Sequence, residues 1–467
     1  MRIGVACFAR PTFDVPYAQE KASAALAMVR AGGIEIVGDD QLLMDEAAAR
    51  ARLQAFADAV LDGVLVIQAS FSDAVMSRVL GEMVTVPIVF WAFPEPRTGG
   101  RLRLNAFCGI NLALHALSRI GRAASTLYQD PDQPLAATAL AALFSQAPAV
   151  PATRAAADLD PAAGEQVARA LDGQRIGLVG EHPAGFDTCA FDAEALAERH
   201  GVSVTQITVG DMIDRARAVP ADQVAITAAE TRARLHNLDE MEPEATDKAL
   251  RSYLALRGWA DGAGLGGMAV RCWPETFTEY GCAVCGAMAR LNQERVPASC
   301  EADVPGAIGS MALQALSGTP ALLVDIVDMD DASDTIVLWH CGLAPLDMGD
   351  PAVKPKAQIH SNRRKPLLHE FPLKPGVVTF ARVSEAFGSS KLVIGSGTMQ
   401  TAPPSFTGTS GVLRPAAGVA VMRARLLAAG LEHHVSITYG DVRAGLESWA
   451  YRIGLPVLDL DAVEDAA

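Results

Sequence analysis

The sequence lacks the basic excess that anionic polymers attract: 39 Lys and Arg stand against 54 Asp and Glu, a formal net charge of −15 over 467 residues. A nucleic-acid partner or an anionic-membrane surface is therefore not expected, although a local basic pocket stays open. No apolar run approaches the ~20 residues that span a bilayer. The amino end, MRIGVACFARPTFD, has no basic region leading into an uninterrupted apolar stretch, so no secretory leader is expected. Eight cysteines in a chain this long make no disulfide framework, and the cytoplasm, where thiols stay reduced, is the expected location. Cys282 and Cys285 form a CxxC, but no second ligand pair stands at a zinc-like spacing, so they read as small buried side chains. No Gly-x-Gly-x-x-Gly follows the first apolar strand, which removes support for a dinucleotide site.

What remains is rich in core-forming material. Half of the residues are hydrophobic and a fifth are charged, and the length suggests about three domains. Over residues 1–150, apolar stretches such as RIGVACF, DGVLVIQA and VPIVFWAF alternate with helical patterns such as YAQEKASAALAMVRAG. Continuous apolar strands between amphipathic helices imply a parallel sheet covered on both faces. A segment rich in Ala, Pro and Asp, SQAPAVPATRAAADLDPAAGEQ, reads as a linker, and the α/β pattern restarts over 151–316 with QRIGLVG, VSVTQITVG and GMAVRCW. FTEYGCAVCGAMARLNQER reads as one helix. Over 317–467 the segments PALLVDIVDMD, DTIVLWHCG, GVVTFARVSEAFGSSKLVIGSGTM and HHVSITYG are strand-rich with turns between them, so a β-rich, antiparallel, barrel-like third domain is expected.

Carboxylates in apolar settings are the anomaly. In VPASCEADVPGAIGSM, Asp303 is well placed as a helix N-cap before Pro305. Glu301 is not needed for the cap, and a buried ionised carboxylate requires a cation, a metal or several donors. Asp325 is the only charge within ALLVDIV; it either ends a strand at solvent or points into a site. Asp328, Asp330, Asp331 and Asp334 lack the glycine and terminal Glu of a calcium loop and read as a solvated turn. His340 and His434 lie near strand boundaries. Two carboxylates with one or two imidazoles suit Mn²⁺ or a similar ion.

Three passages resemble the L-fucose isomerase and L-arabinose isomerase superfamily. CEADVPGAIGSMALQALSGTPALLVD looks like its Glu followed by a strand-ending Asp, here 24 positions apart; HHVSITYGDVRAGLESWAYRIGLPV is similar to the passage carrying its metal-binding His; and LWHCG stands where arabinose isomerases present another. The chain departs from the fucose isomerase pattern at His433, Val435 and Asp441. The resemblance implies three domains and a metal-dependent aldose–ketose isomerase that works on an open-chain sugar through a cis-enediolate. Carried over by position, Glu301, Asp325 and His434 would bind a divalent ion, most simply Mn²⁺. Glu301 and Asp325 would move the protons, and His340 would be a further ligand or a substrate contact. The same resemblance implies a homo-oligomer, a trimer or hexamer. Epimerisation or cleavage through the same enediolate, and non-catalytic sugar binding, are the competing readings.

Trp273 and Trp339 read either as sugar-stacking platforms or as core. The basic segment KPKAQIHSNRRKPLLHE, with Arg363, reads either as a solvated loop or subunit contact, or as a pocket for a phosphate, sulfonate or carboxylate on the substrate.

Overall fold

A computed structural model describes residues 1–57, 59–145 and 148–463. Gln146 and Ala147 of the expected linker lie outside the described residues. The apolar runs of the amino-terminal part form a parallel sheet from β1 (Arg2–Phe8), β2 (Glu35–Val37), β3 (Leu42–Leu43), β4 (Gly63–Gln68), β5 (Ile88–Ala92) and β6 (Ser125–Tyr128). Its order is β2-β1-β4-β5-β6, with β3 also beside β1. β4 and β5 are buried along their whole length, as a sheet with both faces covered demands.

A second parallel sheet follows, from β7 (Arg175–Val179), β8 (Ser203–Ile207), β9 (Gly267–Val270) and β10 (Ala298–Cys300), in the order β10-β9-β7-β8. The stretch expected as one helix over 277–295 is divided. A π-helical turn covers Thr276–Tyr280, Gly281 takes the left-handed φ of 89° that ends it, and an α-helix restarts at Cys285–Gln293. Cys282 and Cys285 are both buried.

The remaining strands are β11 (Leu322–Asp330), β12 (Thr335–His340), β13 (Lys356–Gln358), β14 (Leu368–Pro372), β15 (Gly376–Ser384), β16 (Lys391–Met399), β17 (Thr409–Pro415), β18 (His434–Tyr439) and β19 (Val457–Asp459). They order as β13-β14-β17-β12-β11-β18-β15-β16-β19, and an additional β17–β16 pairing closes six of them into a barrel. The pairing is antiparallel apart from β14–β17 and β16–β19.

One carboxylate expected in a solvated turn is not there. Asp328 is buried, because β11 runs on to Asp330 and packs against the first sheet. Its Oδ2 accepts from Arg97 Nε at 2.6 Å, and its Oδ1 accepts from the Glu95 N–H at 2.9 Å and the Tyr128 hydroxyl at 2.7 Å. Asp328→Ala strips three donors of their acceptor and is expected to destabilise the fold by about 2 kcal/mol. Denaturant unfolding checks this; a loss under ~0.5 kcal/mol, the scale of ordinary surface changes, would contradict it.

Candidate active site

The barrel and the second sheet each deliver part of one cleft. In β11, Asp325 pairs across the ladder with Trp339 of β12 on one side and His434 of β18 on the other. Directly opposed residues share a face of a sheet, so the three side chains come together. Glu301 follows β10 and arrives by a costly turn: Glu301 and Ala302 take φ of 58° and 59°. For residues with a Cβ this left-handed backbone costs ~1–2 kcal/mol each, and such strain collects at sites with a task. The turn ends at Asp303, whose Oδ1 accepts from the Gly306 N–H at 2.9 Å and caps the helix Val304–Ser317.

Asp303 does more than cap. Its Oδ2 accepts from Arg382 Nη1 and from His434 Nδ1, the latter at 2.9 Å. Burial alone would push the Asp303 carboxyl up, but Arg382 and His434 hold it well below the usual carboxylate range. A carboxylate can only accept, so His434 Nδ1 carries its ring proton and Nε2 keeps a free lone pair. That lone pair faces Asp325 Oδ1 at 3.6 Å and Glu301 Oε2 at 3.8 Å. Burial, and then His433 beside it, lower the basicity of His434 and favour the neutral ring.

Glu301 is gripped from both sides. Trp273 Nε1 donates to Oε1 at 3.0 Å, and His433 Nε2 donates to Oε2 at 3.1 Å. The other nitrogen of His433 then accepts from the Thr188 hydroxyl at 2.8 Å. Burial opposes ionisation of Glu301, but His433, His434 and Trp273 outweigh it and hold the carboxyl below its ordinary value. Asp325 is less well served. Its Oδ1 has no hydrogen-bond partner among the described residues, and burial lifts its carboxyl to about 6 against the pull of His434 and His340. His340 Nδ1 accepts the Cys341 N–H at 2.8 Å, so its proton sits on Nε2, which is buried and also unpartnered.

The residues singled out in the sequence therefore share one cleft: Glu301, Asp325, His340 and His434 at its floor, with Trp273, Trp339 and Arg363 on its walls. It lies beyond the carboxyl ends of parallel strands β1, β4, β9 and β10, where open α/β sheets take their ligands. Two trios of donor atoms close to within 4.8 Å could hold an ion: Asp325, His340 and His434; and Cys189, Glu301 and His434. His434 is common to both. Sequence reasoning missed Cys189, Thr188, Arg382 and Arg10, and gave Asp303 only its capping role. Only Asp303, two positions from Glu301, carried a local signal.

Residues 4–152 match the family model described as "Fucose/sulfoquinovose isomerase, N-terminal domain". A sulfoquinovose isomerase of Alkalicoccus urumqiensis is 27% identical over 407 residues, 86% of each chain. Those of Priestia aryabhattai, at 26%, and Clostridium sp. (strain MSTE9), at 27%, cover 93% of this chain and of their own. The class is thereby defined: this is an aldose–ketose sugar isomerase. Within that class the chain is similar to fucose isomerase-like proteins, as its sequence motifs imply. Among the described residues, no helix is long and apolar enough to cross a membrane.

Proposed function

We propose that the chain is a divalent-metal-dependent isomerase that converts sulfoquinovose, a hexose bearing a sulfonate on carbon 6, to the corresponding ketose. The observation that carries the metal is His434: its Nδ1 is committed to Asp303, and its free Nε2 stands within 4 Å of both Asp325 and Glu301. A carboxylate–imidazole pair behind a ligand is a common way to aim a lone pair at a metal. The unpartnered Asp325 Oδ1 is the buried charge such an ion would neutralise. The protonated Nε2 of His340 and the thiol of Cys189, whose pKa burial pushes well above its usual value, are poorer ligands. This reading takes Glu301, Asp325 and His434 as the ligand set, drawing one carboxylate from each of the two trios that His434 joins, and two carboxylates with one imidazole suit Mn²⁺. The three sheets are read as three domains, 1–150, 151–316 and 317–467. The family resemblance supports a cytoplasmic homo-oligomer, a trimer or hexamer, which light scattering can size.

Held by Glu301, Asp325 and His434, a divalent ion would supply positive charge to stabilise a developing enediolate. Glu301, kept ionised by its two donors, takes the proton from carbon 2. Asp325 relays a proton to carbon 1, the hydroxyl proton of carbon 2 passes to the oxygen of carbon 1, and the proton taken up by Glu301 is exchanged back through solvent to Asp325, which restores the starting state. His340 donates from Nε2 to a sugar oxygen, and Trp339, stacked on His340 at an interplanar angle of 7°, fixes that ring.

The test is proton exchange at carbon 2, followed by NMR in D₂O with sulfoquinovose. Deuterium should enter carbon 2 and ketose should form with Mn²⁺ present, and both should stop on chelation. Exchange indifferent to chelation would remove the metal, and no exchange on sulfoquinovose would remove the substrate. His434→Ala is expected to weaken Mn²⁺ binding at least about tenfold; a calorimetric titration with unchanged affinity would rule out its role.

A further inference from the structure

Opposite the carboxylates, the same cleft carries two guanidinium groups with no close neutralising partner. Arg10, just beyond β1, lies 5.2 Å from the Trp273 ring and 5.4 Å from Phe71. Arg363 lies 4.6 Å from the same Trp273 ring and 5.3 Å from Phe277. The nearest acid to Arg10 is Asp73, at 3.9 Å, beyond a hydrogen bond. Among the described residues, Arg363 has no side-chain hydrogen bond or ion pair, only its two aromatic faces. Burial first, and then Arg363 beside it, work against the charge on Arg10, while Asp73 and Glu301 favour it. Next to Arg363, Asn362 also lines the cleft, and its unpartnered Oδ1 is an acceptor suited to a sugar hydroxyl rather than to an anion. An acidic protein that gathers two guanidinium groups in one place, neither within hydrogen-bond reach of a carboxylate, presents the complement of an anion.

Trp273 links the two ends. Its Nε1 donates to Glu301, and its ring lies under both guanidiniums, so the cations and the proposed reaction centre are one indole apart. In an extended hexose the carbon-6 sulfur is five single bonds from carbon 2, about 6 Å end to end once the zigzag of ~1.5 Å bonds is allowed for. We propose that Arg10 and Arg363 form an anion clamp for the sulfonate, set across Trp273 from the carboxylates that act on carbons 1 and 2. The clamp rests on the isomerase reading of Glu301, Asp325 and His434. Planar guanidinium forks match the sulfonate oxygens pairwise, and aromatic rings beneath them keep water away. A neutral sugar would leave both cations without a partner, so the clamp selects against it as well as for the sulfonate.

The experiment compares Arg10→Gln, Arg363→Gln and the double variant with the wild type, in Mn²⁺, on sulfoquinovose and on its neutral counterpart 6-deoxyglucose. Each single variant should raise KM for sulfoquinovose about tenfold or more, and the double about 10²-fold, with kcat much less affected. Activity on 6-deoxyglucose should fall far less, so that the preference between the sugars collapses. Arg363→Lys, which keeps the charge but not the fork, should fall between wild type and Gln. Glucose 6-phosphate and glucuronate, run beside them, separate a sulfonate site from one for any anion; equal preference for all three would overturn the sulfonate assignment. Equal losses on charged and neutral sugars, or an unmoved KM for sulfoquinovose, would overturn the clamp. Calorimetry with the unreactive sulfonated alditol separates the clamp from the reaction. If wild type binds it, the Gln variants do not, and no sugar is isomerised, the clamp stands and the isomerase reading falls. If wild type does not bind it, the clamp falls.

Discussion

Glu301→Gln is expected to lower kcat for the aldose–ketose conversion by at least about 10²-fold, the scale of a lost general base, with the fold intact. Glutamine has the same shape and keeps an oxygen for the Trp273 N–H. On the other side its amide meets His433, which can exchange the roles of its nitrogens because the Thr188 hydroxyl beyond it can donate or accept. The packing therefore survives while the negative charge and the proton-accepting oxygen are lost. Two readouts decide the case. Turnover at saturating Mn²⁺ should fall by the stated factor, and the unfolding midpoint should move little. Near-normal turnover would take Glu301 out of the reaction, whereas equal loss of turnover and stability would mean that the residue was structural. Asp325→Asn belongs to the same experiment and should show a loss of the same order.

Much of this site was legible because burial makes charge conspicuous. Asp325 within ALLVDIV and Glu301 after an apolar strand violate the rule that ionised groups stay near water, and both lie in the cleft. Of the two readings open for Asp325, the buried one holds: it stands mid-strand, with β11 continuing five residues past it. The barrel too was legible, from the strand-rich pattern after Thr319. What stayed hidden depends on contacts between distant segments. Asp303 fits the capping rule so well that nothing local suggests a second oxygen shared by Arg382 and His434, 79 and 131 positions away. Asp328 looked solvated because its partners come from the amino-terminal part, Arg97 from the loop after β5 and Tyr128 from β6. The helix expected over 277–295 failed at Gly281, where one left-handed residue outweighs favourable composition on both sides. Arg10 follows an ordinary buried strand, and only the folded cleft sets it beside Arg363.

The largest effect on stability is expected from Arg382→Met. The Arg382 side chain is 2% exposed and Asp303 is fully enclosed. A buried pair of this kind gains little net stability from its attraction, since both charges gave up water. Removing one partner is another matter, because Asp303 would remain ionised beside His434 with its compensating cation gone. That situation costs roughly 3–5 kcal/mol, enough to drop the unfolding midpoint by ~10 °C for units of this size. The Thr188 carbonyl, which now accepts from Arg382 Nη2 at 2.8 Å, would lose its donor too. The sign of the explanation is tested by combining Asp303→Asn with Arg382→Met. Asparagine still caps the helix Val304–Ser317 and removes the stranded charge, so the double variant should be more stable than Arg382→Met alone. The two changes are coupled because they share one contact. The rescue should not extend to the metal. A neutral amide in place of the Asp303 carboxylate no longer obliges His434 to keep its proton on Nδ1, so Mn²⁺ affinity should stay reduced by about tenfold or more. A single variant within ~1 kcal/mol of wild type would show that Asp303 can satisfy itself without Arg382. A double variant binding Mn²⁺ normally would show that the Asp303–His434 bond does not aim the ligand.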